Sequence, residues 1–105
     1  MRYLLLLGIS VLCPAMPILA QEHSTLLERG KQLFVDQGCY GCHTVGNMGT
    51  PIGPDLSHVG APYPASYLIN WLRDPSAQKP TAHMPKIELT EDETRALAAY
   101  LSSLR

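Results

Sequence analysis

Two thiols and one imidazole lie close together in the segment Cys39-Tyr40-Gly41-Cys42-His43. Thiols three positions apart at the start of a helical turn can reach the two vinyl groups of one porphyrin and form thioethers. The next residue, His43, is then directed at the iron from the same side. C-x-x-C-H is the attachment signature of c-type haem. The spacing therefore predicts one haem bound covalently through Cys39 and Cys42, with His43 as an iron ligand.

Two other kinds of site use the same residue types. A disulfide or redox-active Cys-x-x-Cys normally follows a strand in a β-α-β pattern, and no such pattern precedes Cys39. A zinc site needs a tetrahedral ligand set, and the motif lacks a second ligand pair at the usual spacing, although His58 and His83 could be recruited. The motif alone leaves these alternatives open, and the residues that follow it favour haem.

A second iron ligand is expected on the opposite face of the porphyrin, and the candidates are Met48 and Met84. Met48 follows His43 by only five residues, which is too short a path around the ring. Met84 follows a predicted helix and a proline-bearing loop, so it is the predicted sixth ligand. His83 and His58 are the alternative ligands, and either would give a bis-imidazole iron of lower potential.

Three further residues are candidates for contact with the haem. A metal-bound imidazole generally donates its second nitrogen to an oxygen acceptor, and the Pro54 carbonyl is the predicted acceptor for His43. Leu56 can then pack on the porphyrin, although a simple turn would also explain this segment. Trp71 is predicted to donate its indole N–H to a haem propionate, with a core position as the alternative.

Two terminal helices must position this segment. Apolar residues at helical spacing predict one helix between Ser24, as its cap, and Gly38, as its stop. Thr90 and Glu93 form a capping box that starts a second helix, which continues to the end of the chain. Gly30, in the middle of the first helix, destabilises it by about 1 kcal/mol relative to Ala, which indicates a close crossing by the other helix.

A third helix is predicted between the terminal ones, over Ala65–Arg73 after Pro64. Residues 44–62 and 76–86 are rich in Gly and Pro and show no strand alternation. The predicted fold class is therefore all-α, with three main helices joined by long loops. Loops of this length are unusual in a compact domain unless they enclose something.

Length and charge exclude several functions. A chain of 105 residues has room for one small domain, so a two-domain enzyme is excluded. A formal charge of −1 provides no basic surface for nucleic acid.

The first segment of the chain predicts export. Arg2 precedes an apolar run over residues 4–12, and prolines and a small residue follow, so residues 1–20 are interpreted as a cleaved signal peptide. The domain is then residues 21–105, in the periplasm. A retained anchor and a lipid attached at Cys13 are the alternatives.

With these parts together, the chain resembles the class I c-type cytochromes, in particular the short bacterial mono-haem kind. The resemblance implies crossing terminal helices around one buried haem c, thioethers at Cys39 and Cys42, and iron ligands at His43 and Met84. It also implies electron shuttling. The residues that carry the resemblance are 30–34, 39–43, 53–56, 67–75, Met84-Pro85 and 89–104.

The function predicted from this pattern is one-electron transfer rather than enzyme catalysis. We expect a monomer with redox-protein partners, namely membrane respiratory complexes or a periplasmic dehydrogenase, and no small-molecule substrate. Docking is expected at residues 46–52 and 81–86, where Lys86 is the only Lys, Arg, Asp or Glu. The rate of reaction with a partner should therefore depend only modestly on salt. The alternatives are a sensor or peroxidase from whose iron Met84 departs, and a fixed subunit of a larger complex.

Overall fold

The computed structural model describes residues 8–14 and 17–105. Within them the fold is mainly helical, and the predicted all-α class is confirmed. A 3-10 turn at Cys39–Gly41 follows the first helix, and a minimal hairpin follows that turn. The elements are α1 (Ile18–Asp36), β1 (Thr44–Val45), β2 (Met48–Gly49), α2 (Ala65–Arg73), α3 (Pro75–Gln78) and α4 (Glu91–Ser103).

The N-terminal helix begins earlier than predicted. It starts at Ile18, after Pro17, so Ser24 lies inside α1 and caps nothing. The helix ends near its predicted stop, because Gly38 adopts a left-handed backbone with φ of 75°.

The expected signal peptide falls partly outside the described residues, because residues 1–7 and 15–16 are not among them. Its cleavage remains a prediction. No helix in the described part of the chain is both long enough and apolar enough to cross a bilayer.

The predicted crossing of α1 and α4 at Gly30 is confirmed. A Cβ atom built on Gly30 would lie 2.0 Å from the Ala96 carbonyl oxygen and 2.7 Å from Tyr100 Cβ. Only glycine allows the two backbones to approach this closely. Beside the crossing, the Phe34 ring meets Tyr40 and Tyr100 edge-on, at centroid distances of 4.7 and 5.6 Å.

The start of α4 is fixed by its cap and by an ion pair. The Thr90 hydroxyl accepts from the Glu93 amide, and the Glu93 carboxylate accepts from the Thr90 amide, so the predicted capping box is confirmed. Arg73, at the end of α2, donates to both carboxylate oxygens of Glu91. The helices enclose the core, whose buried apolar residues are Leu33, Phe34, Leu68, Leu72, Ala96, Leu97, Ala98, Tyr100 and Leu101.

Two short elements were not predicted from the sequence. The first segment that we expected to be loop contains the β1–β2 hairpin, in which Thr44 pairs with Gly49 and Val45 with Met48. The second overlaps α3, which begins one residue before it at Pro75 and is capped by Asp74. Strands of two residues are too short to show an alternating pattern.

Candidate functional site

The 3-10 turn brings the motif residues to one wall of a cavity. The amides of Cys42 and His43 both donate to the Cys39 carbonyl, which folds the segment back on itself. Cys39, Cys42 and His43 consequently all line the same cavity. This arrangement places two thiols and one imidazole on the lining of the same cavity, as covalent attachment to a single flat ring would require.

The cavity has a volume of about 700 Å³, within the range of roughly 300–1,000 Å³ that is usual for cofactor sites. It contains Met84 as well as the motif residues, and its walls are mostly apolar. These residues fit a covalently bound haem, since thiols, an imidazole and a thioether face one apolar space. Apolar lining residues include Phe34, Leu56, Leu68, Leu72, Leu97 and Leu101.

His43 is oriented by the acceptor that the sequence predicts. Its Nδ1 lies 2.8 Å from the Pro54 carbonyl oxygen. A carbonyl can only accept, so the bond requires the proton to be on Nδ1 and leaves the Nε2 lone pair free for a metal. Gly53 packs directly against the ring, because a Cβ atom there would lie 2.8 Å from His43 Cε1. The imidazole is therefore fixed by one hydrogen bond and one close contact.

A group of hydrogen bonds beside this pair was missed from the sequence. Asp55 Oδ1 accepts from the Thr44 and Ser57 hydroxyls, both at 2.8 Å. Ser57 Oγ in turn accepts from the Gly46 amide. The hydrogen bonds from Thr44 and Ser57 hold the pKa of Asp55 below its usual range. The only signal in the sequence is that Thr44 follows the predicted ligand and Asp55 follows the predicted acceptor.

Trp71 has a different partner from the one expected. Its Nε1–H donates to Met84 Sδ at 3.2 Å. An indole has a single N–H donor, and the thioether takes it, so the contact to Met84 competes with the bond from Trp71 to a propionate, which stays a prediction. Trp71 does line the cavity with Met84, as the sequence indicates. The structure thus places this donor beside the candidate ligand.

Trp71 also ends an aromatic column along α2. Tyr67 stacks on it with a centroid distance of 6.3 Å, and Tyr63 stacks on Tyr67 at 4.7 Å. Tyr63 was not singled out from the sequence, and its side chain is partly exposed.

The other candidate ligands are placed less favourably. Met48 is 60% exposed on the hairpin and does not line the cavity. His58 and His83 line it but are exposed. Across residues 8–14 and 17–105, no three or more His, Cys, Asp or Glu side chains are grouped so that they could hold a metal ion. The zinc alternative therefore has no structural support in this part of the chain.

The two motif cysteines are free thiols rather than a disulfide. Cys39 is partly buried, and burial raises the pKa of its thiol. A thiol with a raised pKa has little thiolate, the form that takes part in disulfide exchange. Because neither cysteine is in a disulfide, both sulfurs are available for another partner.

Comparisons with known proteins agree with this geometry. The family model described as "Cytochrome c" matches residues 27–105. The chain is also similar to a cytochrome c oxidase subunit 2 from Alkalihalophilus pseudofirmus, with 39% identity over 90 residues. That match includes 77% of this chain but only 26% of the relative, so the chain corresponds to about a quarter of that protein's length.

Proposed function

Because the chain belongs to the cytochrome c family, whose members bind haem and carry electrons, we propose that it is an exported one-electron carrier. In this proposal Cys39 and Cys42 form the thioethers, and His43 and Met84 are the axial ligands. The observation that carries it is the single cavity lined by both thiols, the oriented imidazole and the thioether.

Each side chain has a defined task. His43 donates its Nδ1–H to the Pro54 carbonyl, which fixes the ring and makes Nε2 a stronger donor to a metal. Trp71 holds the Met84 sulfur through its indole N–H. When bound, haem supplies an iron that alternates between ferrous and ferric states. With His43 and Met84 both bound to the iron, no site would be open for a substrate, which would suit electron transfer rather than catalysis.

Docking is proposed at the surface next to the thioether positions. Residues 37–54 contain no Asp, Glu, Lys or Arg. Within them Met48 and Ile52 are 60% and 75% exposed. A small apolar face of this kind suits the short-lived contacts of redox partners. The proposed partners are a membrane respiratory complex or a dehydrogenase, met by a monomeric carrier, and the reaction rate should change little with ionic strength.

Haem staining of the matured, denatured protein tests the attachment, since only a covalent link survives denaturation. The wild-type protein should stain, and a near-infrared sulfur-to-iron band should report Met84 in the oxidised form. Met84→Leu should remove the band. Met48→Leu is the matched control and should retain it. A colourless protein, or a band unchanged by Met84→Leu, would contradict the proposal.

A second candidate function is a fixed electron-entry domain of a respiratory oxidase. The similarity to an oxidase subunit favours it. Purification separates the two candidates, because a carrier is recovered alone and a fixed domain is recovered with its complex. A sensor or peroxidase would have to release Met84 from the iron, so rapid carbon monoxide binding at neutral pH would favour that alternative instead.

A further inference from the structure

One carboxylate oxygen joins the two chain segments that carry the His43–Pro54 pair. Asp55 Oδ1 accepts from Thr44 Oγ1 and Ser57 Oγ at 2.8 Å each, and from the Ser57 amide at 3.4 Å. We call the side chains of Thr44, Asp55 and Ser57 the Asp55 clasp. The carboxylate is exposed, yet three donors converge on one of its oxygens.

Two residues of the clasp are sequence neighbours of the His43–Pro54 pair. Thr44 directly follows His43, and Asp55 directly follows Pro54. Backbone bonds also join these segments, since the Leu56 amide donates to the Thr44 carbonyl at 2.8 Å. Pro54 itself has no amide hydrogen and cannot be held through its own nitrogen. The bond from Thr44 to Asp55 is therefore a direct side-chain tie across the His43–Pro54 pair.

We propose that Asp55 is a positioning residue, which holds the Pro54 carbonyl on Nδ1 of His43 and thereby stabilises the oxidised iron. The inference rests on the proposed ligation by His43. A stronger acceptor at Nδ1 makes the metal-bound imidazole more basic, and a more basic ligand favours the ferric state. The negative charge of Asp55 also favours the ferric state. The test must therefore separate the effect of Asp55 on the position of the Pro54 carbonyl from the effect of its charge.

The experiment uses the matured, haem-loaded protein and two readouts. The first is the reduction potential, and the second is the solvent exchange rate of the His43 Nδ1 proton, measured by NMR. Asp55→Ala removes both the clasp and the charge, so the potential should rise and the proton should exchange about fivefold faster, the scale of one lost hydrogen bond. Asp55→Asn removes the charge but keeps an accepting oxygen. It should raise the potential less and leave the exchange rate close to that of wild type.

Two further variants make the test specific. Thr44→Val combined with Ser57→Ala removes the hydroxyl donors and keeps the charge, so it should speed exchange as Asp55→Ala does. Ser57→Ala alone should do the same to a smaller extent and serves where the other changes prevent folding. Glu88→Gln removes an exposed carboxylate outside the clasp and should leave the exchange rate unchanged.

The outcomes are distinguishable. Wild-type exchange in both Asp55→Ala and the double hydroxyl variant would overturn the positioning role, even if the potential shifts with the charge. Equal potentials in Asp55→Ala and Asp55→Asn would overturn it as well. A wild-type protein without covalent haem would overturn the proposed function and this inference together.

Discussion

The two candidate axial ligands each have a hydrogen-bonded neighbour, and the neighbours act in opposite senses. The Pro54 carbonyl accepts from His43 and makes the imidazole a better donor. Trp71 donates to the Met84 sulfur and withdraws electron density from it. In the proposed haem-loaded protein, the first contact would favour ferric iron and the second would favour ferrous iron. The potential of the bound haem should therefore respond to single substitutions on either side.

Trp71→Phe should lower the reduction potential. Phenylalanine keeps the ring in the cavity but removes the N–H donor, so the Met84 sulfur becomes a stronger donor to ferric iron. Potentiometric titration of the haem-loaded protein measures the shift. Tyr67→Phe is the matched control, because Tyr67 stacks on Trp71 and no bond from it to the sulfur is described. Equal potentials in wild type and Trp71→Phe would show that the bond to Met84 has no electronic effect.

The residues of the C-x-x-C-H motif were easier to predict from the sequence than the residues around them. Cys39, Cys42 and His43 form a contiguous motif with one dominant chemical use, and all three line the cavity. The role of Asp55 was missed because no motif links a Thr to an Asp eleven positions away. The His43–Pro54 pair has the same separation, but it was predicted from the acceptor that a metal-bound imidazole needs. The contact from Trp71 to Met84 was not predicted, because the need for an acceptor does not identify which acceptor is near.

Among the elements, the crossing of α1 and α4 depends most on a single position. Gly30 allows contact between the two backbones, and the buried residues of α4 pack around it. Caps and helical periodicity made the existence of α1, α2 and α4 predictable. The start of α1 was not, because Ile18–Ala20 continue the helix without a capping side chain. The hairpin and α3 are held by turn geometry and a local cap, which are not visible in hydrophobic periodicity.

Gly30→Ala should destabilise the protein by about 2 kcal/mol or more, the range of overpacked cores. The added Cβ would lie 2.0 Å from the Ala96 carbonyl oxygen, so the helices must separate. This cost exceeds the gain in helix propensity of about 1 kcal/mol. Chemical denaturation measures the change, and Glu28→Ala on the exposed face of α1 is the control. Increased stability in Gly30→Ala would contradict the observed crossing.

Acid should weaken the start of α4. The Thr90 amide lowers the pKa of Glu93, and Arg73 lowers the pKa of Glu91. A carboxylate whose pKa is lower in the folded state stabilises the fold above its unfolded pKa, about 4.3 for Glu. That stability is lost as the pH falls further, through the folded value. Chemical denaturation at a series of pH values measures the free energy of unfolding. Acid should lower it less in Glu93→Gln than in wild type, and an equal decrease in both proteins would contradict this prediction.

At the scale of the whole molecule, the helices and loops surround a cavity that borders the hydrophobic core. Leu68, Leu72, Leu97 and Leu101 are buried, but each also lines the cavity of about 700 Å³. These side chains need a group inside the cavity to complete their packing, because a small domain buries little apolar surface. The long loops in the sequence indicated that the chain encloses a group, although the sequence could not give the paths of these loops.

Cys39→Ser combined with Cys42→Ser should leave little stable helix. Without the thioethers the cavity has no permanently attached occupant, and its apolar walls face water. Circular dichroism of the exported double variant, compared with wild type, measures the loss. Met48→Leu, at an exposed position outside the cavity lining, is the control and should match wild type. Helix content equal to wild type in the double variant would show that the chain folds without its cofactor.

The placement of the chain's single tryptophan gives the molecule an internal optical probe. Trp71 lies in the cavity wall with its ring stacked on Tyr67. Light emitted by this indole overlaps the absorption of an adjacent haem, so energy transfer should quench its fluorescence while the fold is intact. Emission should appear once α2 moves away from the porphyrin. Opening of the molecule could therefore be followed in real time without an added dye.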